Sequence, residues 1–542
     1  MVVGGAEDYS GVMTSETIAD PELDPTATYV VAPSRSRRLA ARVVAGPRAE
    51  TFTMNSPMTG APIAALPLSS AADVESAVAS ARAAQARWAG TPFAERKRIL
   101  LRFHDLVLTH QVELLDLVQI ESGKTRANAF EEIADTAMAS RYYARTAESH
   151  LRPRRVLGAY PVLTQTRVLH HPVGVVGIVS PWNYPLSLAI TDALPALMAG
   201  NAVVLRPDQQ GSLTALAAIE LLYRAGLPQG VLQVVLGTGS EAGQAIVDTA
   251  DYVAYTGSTA TGRRVAASAA QRLVSFSMEL GGKNSVYVTD DVDLDTAVAG
   301  AVRACFSSSG QLCISTERLL VHESIADEFV PRFVEAVQAM RLGTELAYGY
   351  DMGSLVSPAQ LETVRAHLDD AVAKGASVLA GGRHRPEVGP YVFEPTVLEG
   401  VTADMRCRDE ETFGPLVAIT RVPDDEAAIA LANDTEYGLN SSIWCRDVPR
   451  ARGVAARLRT GTVNINEAYS AAWASMGAPM GGMKASGVGR RHGAEGILRY
   501  TEAQTVAAQH LLPIAASHGL SDKAYARVLS TGLRAMKAMG IK

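Results

Sequence analysis

The 542-residue chain carries Cys313 in a polar, small-residue setting, Ser-Ser-Ser-Gly-Gln-Leu-Cys-Ile-Ser. A thiol in such a stretch reads in two ways, as a small core residue or as a nucleophile. The second needs help, because a free thiol with a pKa of about 8.5 is mostly protonated at neutral pH. Upstream, Met278-Glu-Leu-Gly-Gly-Lys-Asn284 places a single carboxylate, Glu279, before a glycine pair. Alone it is a solvated turn residue, and only the company of the other elements changes that reading. A third element, Gly257-Ser-Thr-Ala-Thr-Gly262, follows the apolar run YVAYT and precedes a helix-like stretch. Such a turn either joins strand to helix or lets backbone N–H groups and the Ser258 hydroxyl meet a pyrophosphate. It is not the GxGxxG dinucleotide fingerprint.

Positioning these groups requires a large core. At 47% hydrophobic and 20% charged residues the composition excludes a disordered tail or collagen, and the length predicts two to four domains. Lys and Arg total 50 against 56 Asp and Glu, a net charge of -6, so there is no global basic field for nucleic acid. Small molecules and copies of the same chain are the expected partners. The longest strongly apolar runs, such as 173–179, fall far short of the roughly 20 residues that span a bilayer, so no membrane span is expected. The opening MVVGGAEDYS is acidic, with no apolar segment after it, and predicts a cytoplasmic protein. Cys305, Cys313, Cys407 and Cys445 are spaced by 8, 94 and 38 residues, which suits neither a zinc knuckle nor a disulfide framework. Reduced thiols and no metal are expected.

Residues 1–49 mix Gly, Pro, Ser and charge, including SRSRRLAAR at 34–42, and read as a loosely structured leader outside the catalytic core. From Ser70 the pattern is helical, with Ser70 and Asp73 as a capping pair and Val74, Ala77, Val78, Ala81 and Trp88 at three- and four-residue steps. Further helices are predicted over 93–110 and 127–148. Then β-branched runs at 174–180, 201–206, 232–237 and 252–257 alternate with helix-like stretches at 187–199, 212–225 and 240–249. That alternation predicts a doubly wound α/β domain with its ligand at the carboxyl ends of the strands. A second α/β region runs from about 280 to 465. Residues 151–171 read as two strands around a Gly-Ala-Tyr-Pro turn, and 501–509 as a third strand. They form either an intersubunit sheet or a hairpin capping their own domain. At 521–539, Tyr525, Val528, Leu529, Leu533 and Met536 stand at helical spacing opposite Lys523, Arg527, Arg534 and Lys537. Such a basic amphipathic helix docks on protein or lies on a membrane, and the first is favoured.

Six motifs then occur in one order: PWNYP (181–185), GSTATG (257–262), MELGGKN (278–284), GQLC (310–313), EETFGP (410–415) and GGMKASGVGR (481–490). Over roughly residues 50–510 the chain resembles the aldehyde dehydrogenases, and the run from 170 to 210 looks closest to a divergent NADP-type succinate-semialdehyde dehydrogenase branch. The resemblance implies an α/β fold of two doubly wound domains plus a small oligomerisation hairpin. The implied division is a dinucleotide-binding domain at 50–147 and 173–279, a catalytic domain at 280–480, oligomerisation segments at 148–172 and 499–510, and an extension at 511–542. A homodimer or homotetramer is implied as well.

The resemblance also assigns roles. Cys313 attacks the aldehyde, the Asn183 amide and the Cys313 N–H stabilise the oxyanion, and Glu279 activates the water that hydrolyses the thioester. Glu279 and Cys313 must therefore converge on a shared tunnel. For the cofactor it implies Trp182, Arg206, Gln209, Gly257, Ser258, Thr259, Leu280, Glu411 and Phe413. Glu279 favours hydrolysis over transfer to coenzyme A; a catalytically silent protein of the same fold is the remaining alternative. Three positions depart from the family pattern. Arg206-Pro-Asp208-Gln209 replaces the usual Lys-Pro-Ser/Ala-Glu, and neutral Gln209 removes the repulsion of a ribose 2'-phosphate, so NADP is preferred and NAD remains possible. Asp192 replaces a Lys implicated in proton relay, which puts that relay in doubt. Met480 replaces a more familiar Phe, a packing change. Ser307 and Thr191 stand where better-known succinate-semialdehyde enzymes carry arginines. With Ser470, in the 467–476 loop at the substrate mouth, they are the substrate candidates.

Overall fold

The computed structural model describes residues 31–161 and 163–541. The acidic opening stretch and most of the expected leader lie outside those residues. The rest of the leader corrects the expectation of loose structure: Pro33–Ala40 is a helix with Leu39 fully buried. Its Arg35 is buried against Glu113, and the Val43 backbone bridges Val234. Apolar Val31, Leu39 and Val43 join the main core, which outweighs the weak local helical signal.

Ser70 caps the helix Ala71–Trp88 through a full capping box with Asp73, as the sequence predicts. Phe93–Thr109 and Arg126–Leu151 follow, with an additional helix, Gln111–Ser122, between them. Nine of its 12 residues are buried, so it has no polar face and no amphipathic period to read.

Five parallel strands form the first sheet in the order Leu232–Val234, Ala202–Pro207, Val175–Ser180, Tyr252–Thr256, Ser275–Glu279, and Gly487–Val488 closes one edge antiparallel. The chain starts in the middle, builds outward on one side, then returns to build on the other, so the crevice opens where the strand order reverses. Val175–Ser180 is buried at every residue, as a strand covered on both faces must be. The second sheet has seven strands, six of them parallel: Thr396–Glu399, Leu416–Val422, Thr316–His322, Asn284–Val288, Asn440–Trp444 and Thr462–Ile465. Ser377–Ala380 pairs antiparallel at its edge. Residues 280–283 pass from the first sheet to the second, so the MELGGKN motif is the crossing between them.

Arg154–Leu157 and Thr164–Pro172 form the expected hairpin, and Thr501–Gln509 pairs with Thr164–Pro172 at nine positions within the same chain. Eight residues of Thr501–Gln509 are exposed. The C-terminal helix runs over Asp522–Ala538, and its Tyr525, Val528, Leu529, Leu533 and Met536 face Tyr160, Pro161, Leu512 and Leu520 across an apolar groove of about 350 Å³. Part of its apolar face thus meets its own chain. Among the described residues no helix is long and apolar enough to cross a membrane.

Candidate active site

Three strands of the first sheet deliver their next residues to one place. Ser180 is followed by Pro181-Trp182-Asn183, Thr256 by Gly257-Ser258, and Glu279 by Leu280-Gly281. The residues that follow the three strand ends, though not Glu279 itself, line a cavity of about 240 Å³ together with Cys313, Gln360, Glu411 and Phe413 from the second sheet's side. Eight of the residues singled out in the sequence therefore share one wall-to-wall space.

Cys313 is held by its backbone. Ser308, Ser309 and Gly310 take φ values of 52°, 57° and 70°, three successive left-handed residues that turn the chain sharply before the thiol. A side chain on Gly310 would collide with the Gly414 carbonyl. The Ser308 N–H donates to Asn128 Oδ1 at 3.0 Å, and Asn284 Nδ2 donates to the carbonyls of Cys313 (2.8 Å) and Ser315 (2.7 Å). Asn284 thus ties the start of a central strand to the nucleophile's own peptide. Burial pushes the Cys313 thiol up to about 12, the Glu411 and Glu279 charges add to this, and Arg491 opposes it. At rest the sulfur is protonated, so reaction requires an acceptor for that proton.

The Asn183 amide donates to the Gln311 carbonyl at 3.0 Å, which fixes it beside the cysteine loop. The Asn183 backbone carbonyl accepts from Lys124 Nζ at 2.7 Å, and Lys124 is paired with Glu132 at 2.8 Å in the interior. The other Glu132 oxygen accepts the N–H groups of Leu186 (2.8 Å) and Ser187 (3.0 Å). This buried pair clamps the chain from Asn183 to Ser187, just after the Pro-Trp-Asn turn. Neither residue carries a signal of periodicity or spacing that marks it.

Glu279 ends its strand 8% exposed, and its Oε1 is buried without a hydrogen-bond partner among the described residues. Burial pushes the carboxyl up to about 7; Arg491 and Arg499 pull it down and Asp192 pushes it up. It packs beside Gly481, where a Cβ would stand 2.9 Å from Oε1, and not on the cavity wall itself. Its charge nonetheless acts on the Cys313 thiol.

On the opposite wall, Glu411 Oε1 accepts the Gly282 N–H at 2.8 Å, and only a glycine at 281 leaves room for that carboxylate. Burial, with the Glu317 charge, pushes Glu411 up to about 8. Phe413, at φ 52°, meets Trp182 edge-on at 5.5 Å. The turn is set by Glu317, which accepts the Thr412 and Phe413 N–H groups at 2.9 Å and pairs with buried Lys283. Ser258 caps the helix Thr259–Gln271, Thr259 donates to the Ala485 carbonyl, and a side chain at Gly262 would collide with Leu280.

Arg206 and Gln209 lie farther along the sheet and do not line the cavity. Arg206 Nε and Nη2 donate to the Gly237 carbonyl at 3.0 and 2.7 Å, and Nη1 stands 3.5 Å from Asp208 Oδ2. Asp208 also accepts the Gln210 N–H, so its charge is shared, and half-buried Gln209 opens a short 3₁₀ turn.

The substrate candidates are more scattered. The Thr191 hydroxyl donates back to the Ser187 carbonyl at 2.8 Å, so it is already engaged. Ser307 lines a separate groove of about 450 Å³ with Glu131, Arg303 and Tyr350. Ser470 donates to Glu467 at 3.2 Å and accepts from Arg303, which is 2.6 Å from Glu467 and 5.0 Å from the Tyr469 ring centroid. Arg303, ten residues before Cys313, was not legible as a site residue, because its helix Leu294–Phe306 reads as an ordinary amphipathic one. Tyr184 and Tyr469 both donate to Glu131, at 3.0 and 2.8 Å, and join the groove to the Asn183 turn. Met480 is buried in the same cluster, as a packing residue should be. Asp192 lies between Arg491 and Arg499, at 2.7 and 2.6 Å.

Residues 44–506 match the model of the Aldehyde dehydrogenase family. A protein of Mycobacterium ulcerans provisionally named succinate-semialdehyde dehydrogenase (NADP+) 2 is 54% identical over 457 residues, 84% of this chain and 88% of that protein. A Mycolicibacterium smegmatis protein with the same provisional activity is 52% identical over 481 residues, 89% of this chain and 93% of its own. Among solved structures, succinate-semialdehyde dehydrogenase from Burkholderia pseudomallei superposes with a TM-score of 0.81 at 36% identity, covering 85% of this chain and 95% of that one. An NAD+ complex of aldehyde dehydrogenase from Bacillus cereus gives 0.81 at 34%, covering 85% and 93%.

Proposed function

The chain belongs to the aldehyde dehydrogenase family and is an NAD(P)-dependent enzyme of that kind, and we propose from this premise that it oxidises succinate semialdehyde to succinate with NADP, by hydrolysis of a thioester on Cys313. The observation that carries the reading is that Cys313, from the second sheet's side, shares one cavity with Asn183, while Glu279, buried at the end of a strand of the first sheet, acts by its charge on the same thiol.

The residues present fit a dinucleotide. Glu411 uses one oxygen for the Gly282 N–H, which leaves Oε2 for a ribose hydroxyl, and Phe413 with Trp182 walls a slot that ends at Cys313. The Ser258-capped helix turns its N-terminus toward the same cavity, where it suits a pyrophosphate. When bound, the cofactor supplies the hydride acceptor. At 206–209, neutral Gln209 poses no repulsion to a 2'-phosphate and Arg206 is close by, which supports NADP over NAD. Both Arg206 and Asp208 are already engaged, so the absence of repulsion by Gln209 carries more of the preference than any new ion pair.

Cys313 passes its proton to solvent water, its sulfur bonds to the aldehyde carbon, and the carbonyl π pair moves to the oxygen. The alkoxide oxygen so formed is held by the Asn183 amide and the Cys313 N–H, and losing one such donor typically costs about 100- to 1000-fold. After hydride leaves the carbon, a thioester remains. Water then bonds to the acyl carbon, its proton passes to Glu279, and the C–S bond breaks with its electron pair returning to sulfur. Arg303 with Ser470 offers the charge that Ser307 and Thr191 lack for a substrate carboxylate, in exchange for Glu467. The hairpin and Thr501–Gln509 support a homo-oligomer. An aldehyde panel assayed with each cofactor tests this reading: highest kcat/KM for succinate semialdehyde with NADP is expected, and negligible activity on it rejects the substrate. Acyl-CoA formed when coenzyme A is added would reject hydrolysis as the main route.

A further inference from the structure

Glu279 faces an interior cluster of charge whose components come from distant parts of the chain. Arg491 follows the Gly-rich segment and is pinned by backbone hydrogen bonds with Met480 in both directions, at 2.8 and 2.6 Å. One of its terminal nitrogens donates to Asp192 Oδ2 at 2.7 Å and to Thr256 Oγ1 at 2.6 Å. Arg499 reaches the other Asp192 oxygen at 2.6 Å, Ser277 at 3.2 Å and the Tyr500 hydroxyl at 2.7 Å. All three charged side chains are less than a tenth exposed. Two cations share one anion, so the trio carries one surplus positive charge. Among the described residues the Glu279 Oε1 and the Arg491 Nε are both buried without partners, and the strand Gly487–Val488, paired with Met278–Glu279, holds the two segments side by side.

We propose that Arg491, clamped by Asp192, is the positioning residue that keeps Glu279 ionised as the base for thioester hydrolysis, with Asp192 grading how much positive charge the carboxylate feels. An ionised Glu279 makes the quartet neutral. A buried carboxylate without that surplus would take up a proton and lose its use as a base. The direction in which Glu279 titrates agrees: burial raises it, and Arg491 is the largest opposing influence.

The groups facing Glu279 are Arg490 and Arg491 from the glycine-rich segment, Asp192 ahead of the helix Ala193–Ala199, Arg499 after the helix Gly493–Leu498, and Cys313. Tyr252, on the adjoining strand, stays neutral because burial raises it. Beyond them, His492 is pushed down to about 4 by burial and by Arg491, so it is neutral near pH 7. Asp135, on the helix Arg126–Leu151, is raised to about 7 by burial and accepts from Ser187. Asp135 competes for the same surplus charge, and its own titration is recognised by its persistence in Glu279→Gln.

This inference rests on Glu279 being the hydrolytic base, so the test separates the two. Acyl-enzyme decay on Cys313 is followed by quenched mass spectrometry across pH 5–9 in wild type, Glu279→Gln, Arg491→Gln, Arg491→Lys and Asp192→Asn. Arg491→Gln is expected to move the acid limb up by about one pH unit, a roughly 10-fold slower decay on that limb that disappears at high pH. Asp192→Asn should move the limb down, and Arg491→Lys should restore the wild-type profile. A merely structural role lowers every rate alike and gives no opposed shifts. Unshifted limbs, or shifts of one sign in Arg491→Gln and Asp192→Asn, overturn the proposal while Glu279→Gln remains slow. A Glu279→Gln enzyme that decays at the wild-type rate overturns the underlying reading instead. Should Arg491→Gln not fold, the downward shift in Asp192→Asn against Arg491→Lys decides.

Discussion

The two flanks of Cys313 are built differently. On the Glu411 side each wall residue is fixed by buried charge acting on backbone: Lys283 holds Glu317, and Glu317 takes the Thr412 and Phe413 N–H groups. On the Arg303 side the cation is 46% exposed and divides itself between Glu467 and Ser470, with Glu131 at 3.8 Å. A buried ion pair that loses one partner leaves an uncompensated charge, whereas an exposed pair exchanges partners at little cost. The first flank therefore suits an invariant ligand held in one geometry. The second suits the part of the reaction that differs between enzymes, the tail of the aldehyde.

That contrast can be broken or sharpened by substitution. The largest effect is expected in the interior behind both flanks, where Glu279→Gln should slow thioester hydrolysis about 1000-fold and leave one burst equivalent of reduced cofactor per site, read by stopped-flow absorbance. On the fixed flank, Lys283→Met strands Glu317 in the interior. Thermal and denaturant unfolding should report a loss of about 3–5 kcal/mol, and loss below 1 kcal/mol would show that this wall is as tolerant as the mouth. Still on the cofactor side, Gln209→Glu restores a carboxylate near the ribose and should lower the NADP-to-NAD ratio of kcat/KM by about 10- to 100-fold. The smallest effect belongs to the mouth. Arg303→Ala should raise KM for succinate semialdehyde by about 10-fold and leave an uncharged aldehyde of equal length unaffected, with stability changed by under about 1 kcal/mol.

The pH dependence follows from the same geometry. Glu279 is raised to about 7 and acts only when deprotonated, so the hydrolysis rate should fall as pH drops through about 7 and level off above it. A limb near pH 4.5 would place the base in water, not in this interior.

What the sequence revealed was whatever local rules govern. The Ser70 and Asp73 box, the alternation from 174 to 257 and the hairpin around residues 158–161 each depend on neighbours a few positions apart. The Gln111–Ser122 helix escaped because burial on most sides erased its period. The motifs supplied Cys313, Asn183 and the Glu411 turn through family resemblance, and the structure gathers them. Lys124 with Glu132, and Asp192 with Arg491, are invisible to any such rule: the second pair is 299 positions apart. Thr191 illustrates the converse, since its place in the family pattern suggested a substrate contact while its helix had already taken the hydroxyl.

The central claim is that one sulfur and one carboxylate act in turn on the same carbonyl carbon. Glu279→Gln mixed with succinate semialdehyde and NADP, quenched and digested, should yield a stable succinyl mass increase on the peptide holding Cys313, at close to one per chain. Continued steady turnover without that adduct, or an adduct on Cys305, Cys407 or Cys445, would contradict the account.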